Sequence, residues 1–191
     1  MKTHEWRSVS PGVLEQVDLE TVVAAGQLAT RDSGEPVAIS QMSMEVHAGQ
    51  IVWEVGQDGA ASKTNLEEGS CIQLRPGEVK TILTDENFDL PLDAYGRIYP
   101  KGRMTTVGIL LASTNIDPGF RGHLSLTLVN ASRANLQIPV MHAIAKIEVV
   151  KLTTDARMAY SGGHSSATKS VPLSNELFDM NKSAIGRARC G

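Results

Sequence analysis

The sequence predicts a mainly β protein, built as a sandwich, jelly roll or barrel, with a helical segment before the β domain. Over residues 37–152, short segments rich in Val, Ile, Leu and Thr are separated about every eight to twelve residues by Gly, Pro, Asn or Asp. One segment, HLSLTLVN at residues 123–130, alternates apolar and polar side chains, so Leu124, Leu126 and Leu128 are predicted to face the core. Aromatic residues make up only 4% of the chain, so the core must be aliphatic.

Residues 1–35 are predicted to form a helical extension. Residues 11–29 have the apolar spacing of one amphipathic helix or two short ones. The apolar residues that fall close to one helical face are Val13, Leu14, Val17, Val22 and Ala25. The sequence RDSGEP at residues 31–36 then supplies Asp, Ser, Gly and Pro, the residue types that favour turns. The helical region is therefore expected to end there.

Residues 36–152 are predicted to form the β domain, because this spacing of turn residues is typical of an all-β fold rather than of alternating β-α units. The candidate strands are residues 43–46, 50–55, 70–74, 80–84, 97–99, 106–112, 124–129, 137–140 and 143–150. Three carboxylates, those of Asp85, Glu86 and Asp89, directly follow one of these strands and are expected to form a solvated acidic loop.

Residues 153–191 are predicted to form a flexible tail with a short helix. The sequence SGGHSSATKS at residues 161–170 is rich in Gly and Ser and cannot bury enough apolar surface to stay ordered alone. Further on, Ser174 is a candidate N-cap for about two helical turns. The apolar side chains of that helix, available to dock on the body or on a neighbouring subunit, are Leu177, Phe178 and Met180.

The composition excludes several classes of protein. The chain has 191 residues, of which 41% are hydrophobic and 20% are charged. This length and composition are typical of one globular domain with an additional short segment. The net charge of −3 gives no basic surface for nucleic acid or an anionic membrane. Cys71 and Cys190 have neither the spacing of a zinc site nor the number for a disulfide scaffold. Without a signal peptide pattern or an apolar run of membrane-spanning length, the chain is expected to be cytoplasmic.

The most specific stretch of the sequence is NIDPGFRGHLSLTLVN, residues 115–130. Asp-Pro-Gly predicts a turn, because Pro118 fixes φ and Gly119 supplies a positive φ, and a strand follows at once. The whole string resembles the deoxynucleotide-handling family that unites dUTPases and dCTP deaminases, whose members carry an Ile-Asp-Pro-Gly-Phe-x-Gly hairpin that leads into a Leu-x-Leu-x-x-Asn strand.

Four further segments resemble motifs of that family in the same order. SMEVHAG at residues 43–49 is similar to its opening strand, and LRPGE at residues 74–78 is similar to its Leu-x-Pro-Gly-Glu turn. Leu-Pro at residues 90–91 fits the segment before the central motif. KGRMTTVGI at residues 101–109 stands where the deaminases have Arg-Ser-Ser-Leu-Ala-Arg-Leu-Gly-Leu. The resemblance covers roughly residues 37–152.

The resemblance implies a distorted jelly roll of the dUTPase-like β-clip type that assembles as a homotrimer. Three nucleotide sites would lie at the subunit interfaces, each closed by a C-terminal tail, and the ligand would be a deoxynucleoside triphosphate with bound Mg²⁺. No protein-bound metal is implied. In the deaminases, a Glu on the strand after the hairpin acts on the attacking water, and a Ser and an Arg of the central motif hold the triphosphate and the reacting centre.

This chain departs from the deaminase pattern at all three of those positions. The Ser position is Gly102, the Arg position is Thr106 and the Glu position is Thr127. A threonine hydroxyl cannot act as the general base that a carboxylate provides near neutral pH. The sequence therefore predicts that ordinary dCTP deamination is altered or lost.

The dUTPase pattern is kept in part. Asp117 occupies the position that activates water for attack on phosphate, although an Asx residue also caps such turns without any catalytic role. The Arg-Ser-Gly phosphate motif is absent, but Lys101, Gly102 and Arg103 supply two cations and a bare backbone in the same loop. The same resemblance assigns nucleotide contacts to four more residues, namely Thr106, Asn115, Ile116 and Phe120.

In the tail, the sequence from Arg157 to Ala167 resembles the dUTPase closing motif, an Arg followed by Gly-Gly-Phe-Gly-Ser-Thr. On this hypothesis Arg157 meets the γ-phosphate, His164 stacks on the base, and Ser165 and Ser166 donate hydrogen bonds to phosphate. The alternative is a plain glycine-serine linker.

Two hypotheses for the function follow from the sequence. In the first, the chain is a family trimer that binds a pyrimidine deoxynucleotide, and any turnover is phosphate hydrolysis through Asp117. In the second, the chain is a structural or regulatory protein that reuses the trimer to bind a protein partner. Glu45, at a position where the family has Asp, is expected to support the interface, and the histidines lack metal-site spacing.

Overall fold

The computed structural model describes residues 4–56, 61–112 and 115–161. Its helices are α1 (His4–Ser8), α2 (Gln16–Ala24) and α3 (Gly102–Thr106). Its strands are β1 (Gly12–Val13), β2 (Leu28–Arg31), β3 (Ile39–Ser40), β4 (Ser43–Val55), β5 (Ala61–Asn65), β6 (Cys71–Leu74), β7 (Val79–Asp89), β8 (Ala94–Pro100), β9 (Ile109–Ala112), β10 (Asn115–Ile116), β11 (Arg121–Asn130), β12 (Leu136–Pro139) and β13 (Ala143–Lys151).

Most of the strands form one curled antiparallel sheet in the order β10-β8-β13-β4-β7-β11-β9, and β6 and β12 form a separate ribbon. The short strands β1, β2, β3 and β5 pair beside this path, with β13, β7, β4 and β4 respectively. The predicted fold class is confirmed: the described chain is mainly β, its main sheet is curled and antiparallel, and it has few helices.

Strand β4 joins the two halves of the sheet and replaces two strands that the sequence predicted as separate segments. Its first half pairs with β13, and its second half pairs with β5 and β7. The register against β7 shifts between Ala48 and Val52. A Cβ at Gly49 would lie 2.6 Å from the carbonyl oxygen of Leu83, so only glycine allows the two backbones to approach this closely.

The alternation in β11 is confirmed by burial. Leu124, Leu126 and Leu128 are at most 5% exposed, whereas Ser125 and Thr127 lie half-buried on the opposite face. The core that these leucines enter is largely aliphatic, as expected from the scarcity of aromatic residues. The outer face of β11 is therefore available for the site chemistry that the sequence predicts.

The helix predicted over residues 11–29 is wrong at both ends. Only Gln16–Ala24 is helical, because Gly12–Val13 pairs with β13 and Leu28–Arg31 pairs with β7. Gly26, at φ +72°, donates its N–H to the carbonyl oxygen of Val23 and ends the helix. β13 and β7 thus pair with these residues at the ends that β4 does not reach, although the residues have a helical apolar spacing.

The N-terminal segment is fixed to the sheet by a buried lysine. Lys151 Nζ donates to the carbonyl oxygens of Trp6 at 2.6 Å and Val9 at 2.8 Å, and its ammonium lies 5.0 Å from the Trp6 ring centroid. Trp6 Nε1 also donates to Asp93 Oδ1 at 2.7 Å. Trp6 and Val9 of this segment belong to the core. The domain boundary near residue 35 stays a prediction.

The expectation of a solvated acidic loop is wrong for Asp85 and Glu86. Both lie inside β7 and are 3% and 1% exposed. Arg31 Nε donates to Asp85 Oδ2 at 2.7 Å, and His47 Nδ1 lies 2.6 Å from Glu86 Oε1. The cation and the histidine come from β2 and β4, which the local sequence around β7 does not reveal. Asp89, at the end of the strand, is exposed as expected.

None of the helices in the described part of the chain has the length and apolar character that crossing a bilayer requires.

Candidate functional site

The hairpin turn that the sequence singled out is formed as predicted. Phe120 donates its N–H to the carbonyl oxygen of Asp117 at 3.1 Å, and Gly119 has a φ of +78°. Leu90 donates to the Phe120 carbonyl at 2.9 Å, which ties the turn to the chain before β8. The residue Asp117 is exposed at this turn. Its carboxylate is therefore accessible to a water molecule or a phosphate.

The remaining hairpin residues divide between surface and core. Asn115 is exposed and pairs with Arg97. Ile116 is 1% exposed and packs so closely on Gly96 that a Cβ there would lie 2.9 Å from Ile116 Cδ1. Phe120 is 4% exposed. The side chains of Ile116 and Phe120 thus support the hairpin from inside, and their roles as nucleotide contacts stay predictions.

The beginning of the predicted tail runs along this hairpin. Ala156 donates to the carbonyl oxygen of Leu92 and Tyr160 donates to that of Pro118, both at 2.9 Å. The Tyr160 ring lies 5.4 Å from the Phe120 ring, measured between centroids. Arg157 is exposed within this segment. The proposed closing residues His164, Ser165 and Ser166 lie outside the described residues, as does the short helix predicted beyond them.

The predicted phosphate loop begins at Lys101 and continues into α3. Lys101 donates its backbone N–H to the carbonyl oxygen of Ile144 at 3.1 Å, and its ammonium forms a short ion pair with Glu45. Gly102 and Arg103 are exposed, and Thr106 donates its hydroxyl to the Gly102 carbonyl at 2.9 Å. The loop therefore presents the Arg103 side chain to solvent, whereas Lys101 already has a carboxylate partner.

Sequence reasoning did not include His142 in this loop. It lies on the turn between β12 and β13, two residues before Ile144, which accepts the hydrogen bond from Lys101. Burial, and then the positive charges of Arg103 and Lys101, lower the pKa of His142 below its usual value of 6.5. No motif spacing links this histidine to the loop, because the fold alone brings the two segments together.

Thr127 lies on the outer face of the sheet, between Thr81 of β7 and Ala112 of β9. Its hydroxyl oxygen is 2.9 Å from that of Thr81. Trp53 is the next residue in this row, and its buried Nε1 has no hydrogen-bond partner among the described residues. A hydroxyl pair can donate and accept hydrogen bonds, but it cannot hold the proton that a general base removes.

Among the described residues, the predicted loop and the predicted hairpin lie at different positions along β8. Lys101 follows the end of β8, whereas the hairpin pairs with Gly96 and Arg97 near the middle of that strand. One cavity in the described part of the chain, of about 680 Å³, is lined by other residues, among them Asp32, Asp85 and His123. Two further cavities, of about 500 and 390 Å³, are also lined by residues other than the predicted ones. The exposed loop residues and the exposed Asp117 thus lie at two separate places in the described part of the chain.

The described residues contain no group of three or more His, Cys, Asp or Glu side chains arranged to hold a metal ion. A triphosphate brings its own Mg²⁺ ligands, since phosphate oxygens coordinate this ion and water completes its shell.

Comparisons with known proteins agree with the fold and with the motif order. A family model described as dCTP deaminase-like matches residues 17–152, which include β2 and all of α2 except its first residue. A "dCTP deaminase, dUMP-forming" of Corynebacterium kroppenstedtii is 31% identical over 109 residues, which are 56% of this chain and 58% of that protein. The enzyme of the same description from Corynebacterium efficiens is 26% identical over 165 residues, which are 79% of this chain and 85% of that one.

Among solved structures, the 2′-deoxycytidine 5′-triphosphate deaminase of Agrobacterium tumefaciens superposes with a TM-score of 0.63 at 16% identity. The superposition covers 75% of this chain and 49% of that one, and supports the fold alone. The chain spans little more than half the length of the first curated relatives it matches, 58% and 59%. Because the family model covers most of the described chain, the protein belongs to the dCTP deaminase-like family.

Proposed function

We propose that this chain binds a pyrimidine deoxynucleoside triphosphate, with its Mg²⁺, at the interfaces of a homotrimer, and that dCTP deamination is altered or lost. The observation that carries the proposal is the family match over residues 17–152 combined with an exposed cationic loop and an intact Asp-Pro-Gly hairpin. The relatives are described as acting on dCTP, which makes a deoxynucleoside triphosphate the first ligand to test.

An exposed apolar row on the sheet supports the assembly. Val79, Val129 and Leu110 are aligned across β7, β11 and β9, and Val79 and Leu110 are 49% and 50% exposed. This row lies next to the row of Thr81 and Thr127 on the same face. Burying it against a second copy would remove apolar surface from water and bring another chain's residues towards Thr127.

The change in chemistry is supported by what surrounds the three substituted positions. The Thr127 hydroxyl is bonded to a second hydroxyl, Gly102 carries no side chain, and the Thr106 hydroxyl is bonded to the backbone of its own helix. None of these groups supplies a proton acceptor or a fixed positive charge to a reacting pyrimidine. A Thr pair retains the capacity to bind a base edge by hydrogen bonds.

Phosphate hydrolysis is the reaction that the remaining groups support. Asp117 is an exposed carboxylate on the hairpin and can accept a proton from a water that attacks phosphorus. Arg103 and Lys101 supply positive charge for the triphosphate oxygens. If the chain turns over a nucleotide, we expect release of pyrophosphate or phosphate without loss of the exocyclic amine.

Thermal unfolding of the full chain with dCTP, dUTP and dTTP, each with Mg²⁺, tests binding. A ligand at a hundred times its Kd stabilises the folded state by about 2.7 kcal/mol and raises Tm. Arg103→Ala is expected to reduce the shift, whereas the matched control Arg75→Ala, at an exposed residue between β6 and β7, is expected to keep it. Chromatography of the products separates deamination from hydrolysis.

Sedimentation equilibrium tests the assembly. We expect about three times the chain mass of 20.5 kDa, and a smaller mass for Leu110→Glu, which places a charge on the apolar row. A trimer that shows no Tm shift with any nucleotide would favour the alternative, a structural or regulatory protein that binds a protein partner. A monomer without any nucleotide response would contradict both.

A further inference from the structure

The turn that carries His142 is held in one place by backbone hydrogen bonds. The carbonyl oxygen of His142 accepts a hydrogen bond from the N–H of Ala48 at 2.9 Å. The N–H of His142 donates to the carbonyl oxygen of Pro139 at 3.1 Å. Met141, at φ +65°, donates to the Ala48 carbonyl at 2.8 Å. These bonds fix the backbone that carries the imidazole, which is half-buried.

The same turn is joined to the phosphate loop. Ile144, just beyond it, accepts the N–H of Lys101, and the next pair in register is Ala145 with Pro100. Strand β4 runs on the other side, where Glu45 holds the Lys101 ammonium and is paired in register with Lys146. Loop, turn and strand therefore meet at one cluster of charges.

The charges that face His142 come from each of these elements. Arg103 and Lys101 from the loop and His47 from β4 disfavour a proton on the imidazole, and Glu45 favours one. The Glu45 carboxylate is shared with Lys101, and the His47 ring is bonded to Glu86. Without a ligand, positive charge exceeds negative charge near His142. Burial first, and then this excess of positive charge, lower the pKa of His142, so its ring is neutral at pH 7.

A bound polyphosphate would reverse this balance, because its negative charge next to Arg103 and Lys101 favours the imidazolium. We propose that His142 is a phosphate-binding residue that takes up a proton when a polyphosphate binds at Lys101 and Arg103. The inference rests on the proposed function, since it places the triphosphate at this loop. On this proposal the His142 imidazolium is a third cation beside Lys101 and Arg103, and it forms only when the ligand is bound.

Proton uptake of this kind has a measurable consequence. If one proton is taken up, affinity rises as pH falls between the pKa of the free protein and that of the complex, by at most about tenfold per pH unit. His142→Gln keeps a polar side chain but cannot take up the proton, so its affinity is expected to lack this component. His142→Lys carries the charge permanently and is expected to bind tightly with little pH dependence.

The test is isothermal titration calorimetry of the full chain with inorganic tripolyphosphate between pH 6 and pH 8, in two buffers of different ionisation enthalpy. The probe's own titration is common to all variants and cancels in the comparison. Wild type is expected to take up more protons than His142→Gln. The matched control is His123→Gln, because the His123 ring is hydrogen-bonded to the Thr84 carbonyl oxygen rather than to the loop. Its proton uptake is expected to equal that of the wild type.

Proton NMR of the His142 ring gives a second readout that needs no variant to fold. Its midpoint is expected to rise by at least one pH unit when tripolyphosphate is added. An unchanged midpoint with measurable binding, or equal proton uptake by wild type and His142→Gln, would overturn the role of His142 and leave the proposed function standing. Absence of binding of tripolyphosphate and of Mg²⁺-bound dCTP, dUTP and dTTP would overturn the proposed function and this inference together.

Discussion

The hydroxyl oxygens of Thr81 and Thr127 lie 2.9 Å apart across the neighbouring strands β7 and β11. The two residues are paired in register, so the contact is built into the sheet rather than into a loop. The resemblance to the deaminases places their catalytic carboxylate at Thr127. The position that would hold a general base therefore holds a neutral hydroxyl whose partner is another neutral hydroxyl.

Thr127→Glu tests whether this position alone removed the deaminase reaction. We expect no detectable ammonia from dCTP, because Gly102 and Thr106 still lack the Ser hydroxyl and the Arg charge of the deaminase pattern. Ammonia release and the dCTP-to-dUTP ratio by chromatography check the outcome. Thr127→Val is the matched control for loss of the hydroxyl pair. We expect it to lower the free energy of unfolding, measured with urea, by about 1 kcal/mol. Deamination by Thr127→Glu would contradict the assignment of a lost site.

Glu45→Gln tests whether the ion pair between Glu45 and Lys101 limits phosphate binding at the predicted phosphate loop. Glu45 and Lys101 are each 22% exposed, and the pair ties up one of two loop cations. We expect the substitution to tighten tripolyphosphate binding by up to about fivefold, the free-energy range of a partly exposed ion pair. Lys101→Ala is expected to weaken binding instead. Equal Kd values for wild type and both variants in calorimetry would remove Lys101 from the site.

The strand pattern, the turn and the aliphatic core were predictable from the sequence because each depends on local spacing. The leucines of β11 alternate, and Asp117-Pro118-Gly119 contains the residue types that its turn requires. The β-clip itself followed from the resemblance, since alternation alone left a sandwich, jelly roll or barrel open.

The features that could not be predicted depend on contacts between distant segments. Asp85 and Glu86 have the local sequence of a solvated loop, yet Arg31 and His47 make their burial possible. The position of His142 beside the phosphate loop likewise follows from the pairing of β13 with β8 and β4. No single motif contains both partners of any of these contacts.

Asp117→Asn tests phosphate hydrolysis. The amide keeps the size of the side chain and its ability to cap the turn, but it cannot accept the proton of an attacking water. If the wild type hydrolyses Mg²⁺-dUTP, we expect at least a hundredfold lower kcat with a Kd within about threefold of wild type. Release of pyrophosphate, followed by a coupled assay, gives the rate. An unchanged kcat would limit Asp117 to its structural role in the turn.

Asp85→Asn and Asp89→Asn compare a buried and an exposed ion pair on the same strand. Asp85 accepts from Arg31 Nε at 2.7 Å and is 3% exposed, whereas the side chains of Arg121 and Asp89 are 76% and 68% exposed at a similar distance, 2.8 Å. Removing one partner of a buried pair costs about 3 to 5 kcal/mol, and an exposed pair contributes less than about 1 kcal/mol. Urea unfolding of both variants checks the difference. Equal losses in the free energy of unfolding would mean that the Asp85–Arg31 pair is accessible to water.

Gly119→Ala and Gly77→Ala separate backbone strain from contact between the hairpin and the segment at residues 156–160. The two glycines have nearly equal φ angles, +78° and +76°, so alanine costs about 1 to 2 kcal/mol at either position through strain alone. A Cβ at Gly119 would also lie 2.8 Å from Ala159 Cβ, whereas nothing lies within 4 Å at Gly77. We therefore expect Gly119→Ala to lose more stability.

The same contact predicts where Gly119→Ala loosens the molecule. We expect faster amide hydrogen exchange at Tyr160, whose N–H donates to Pro118, and unchanged exchange there in Gly77→Ala. Ala159→Gly removes the atom nearest to the new Cβ, so the double variant should recover part of the protection while the backbone strain remains. Because the Phe120 ring contacts Tyr160, the single variant should also weaken binding of any ligand that needs this hairpin and segment held together. Equal exchange at Tyr160 in both glycine variants would show that the contact does not hold the segment in place.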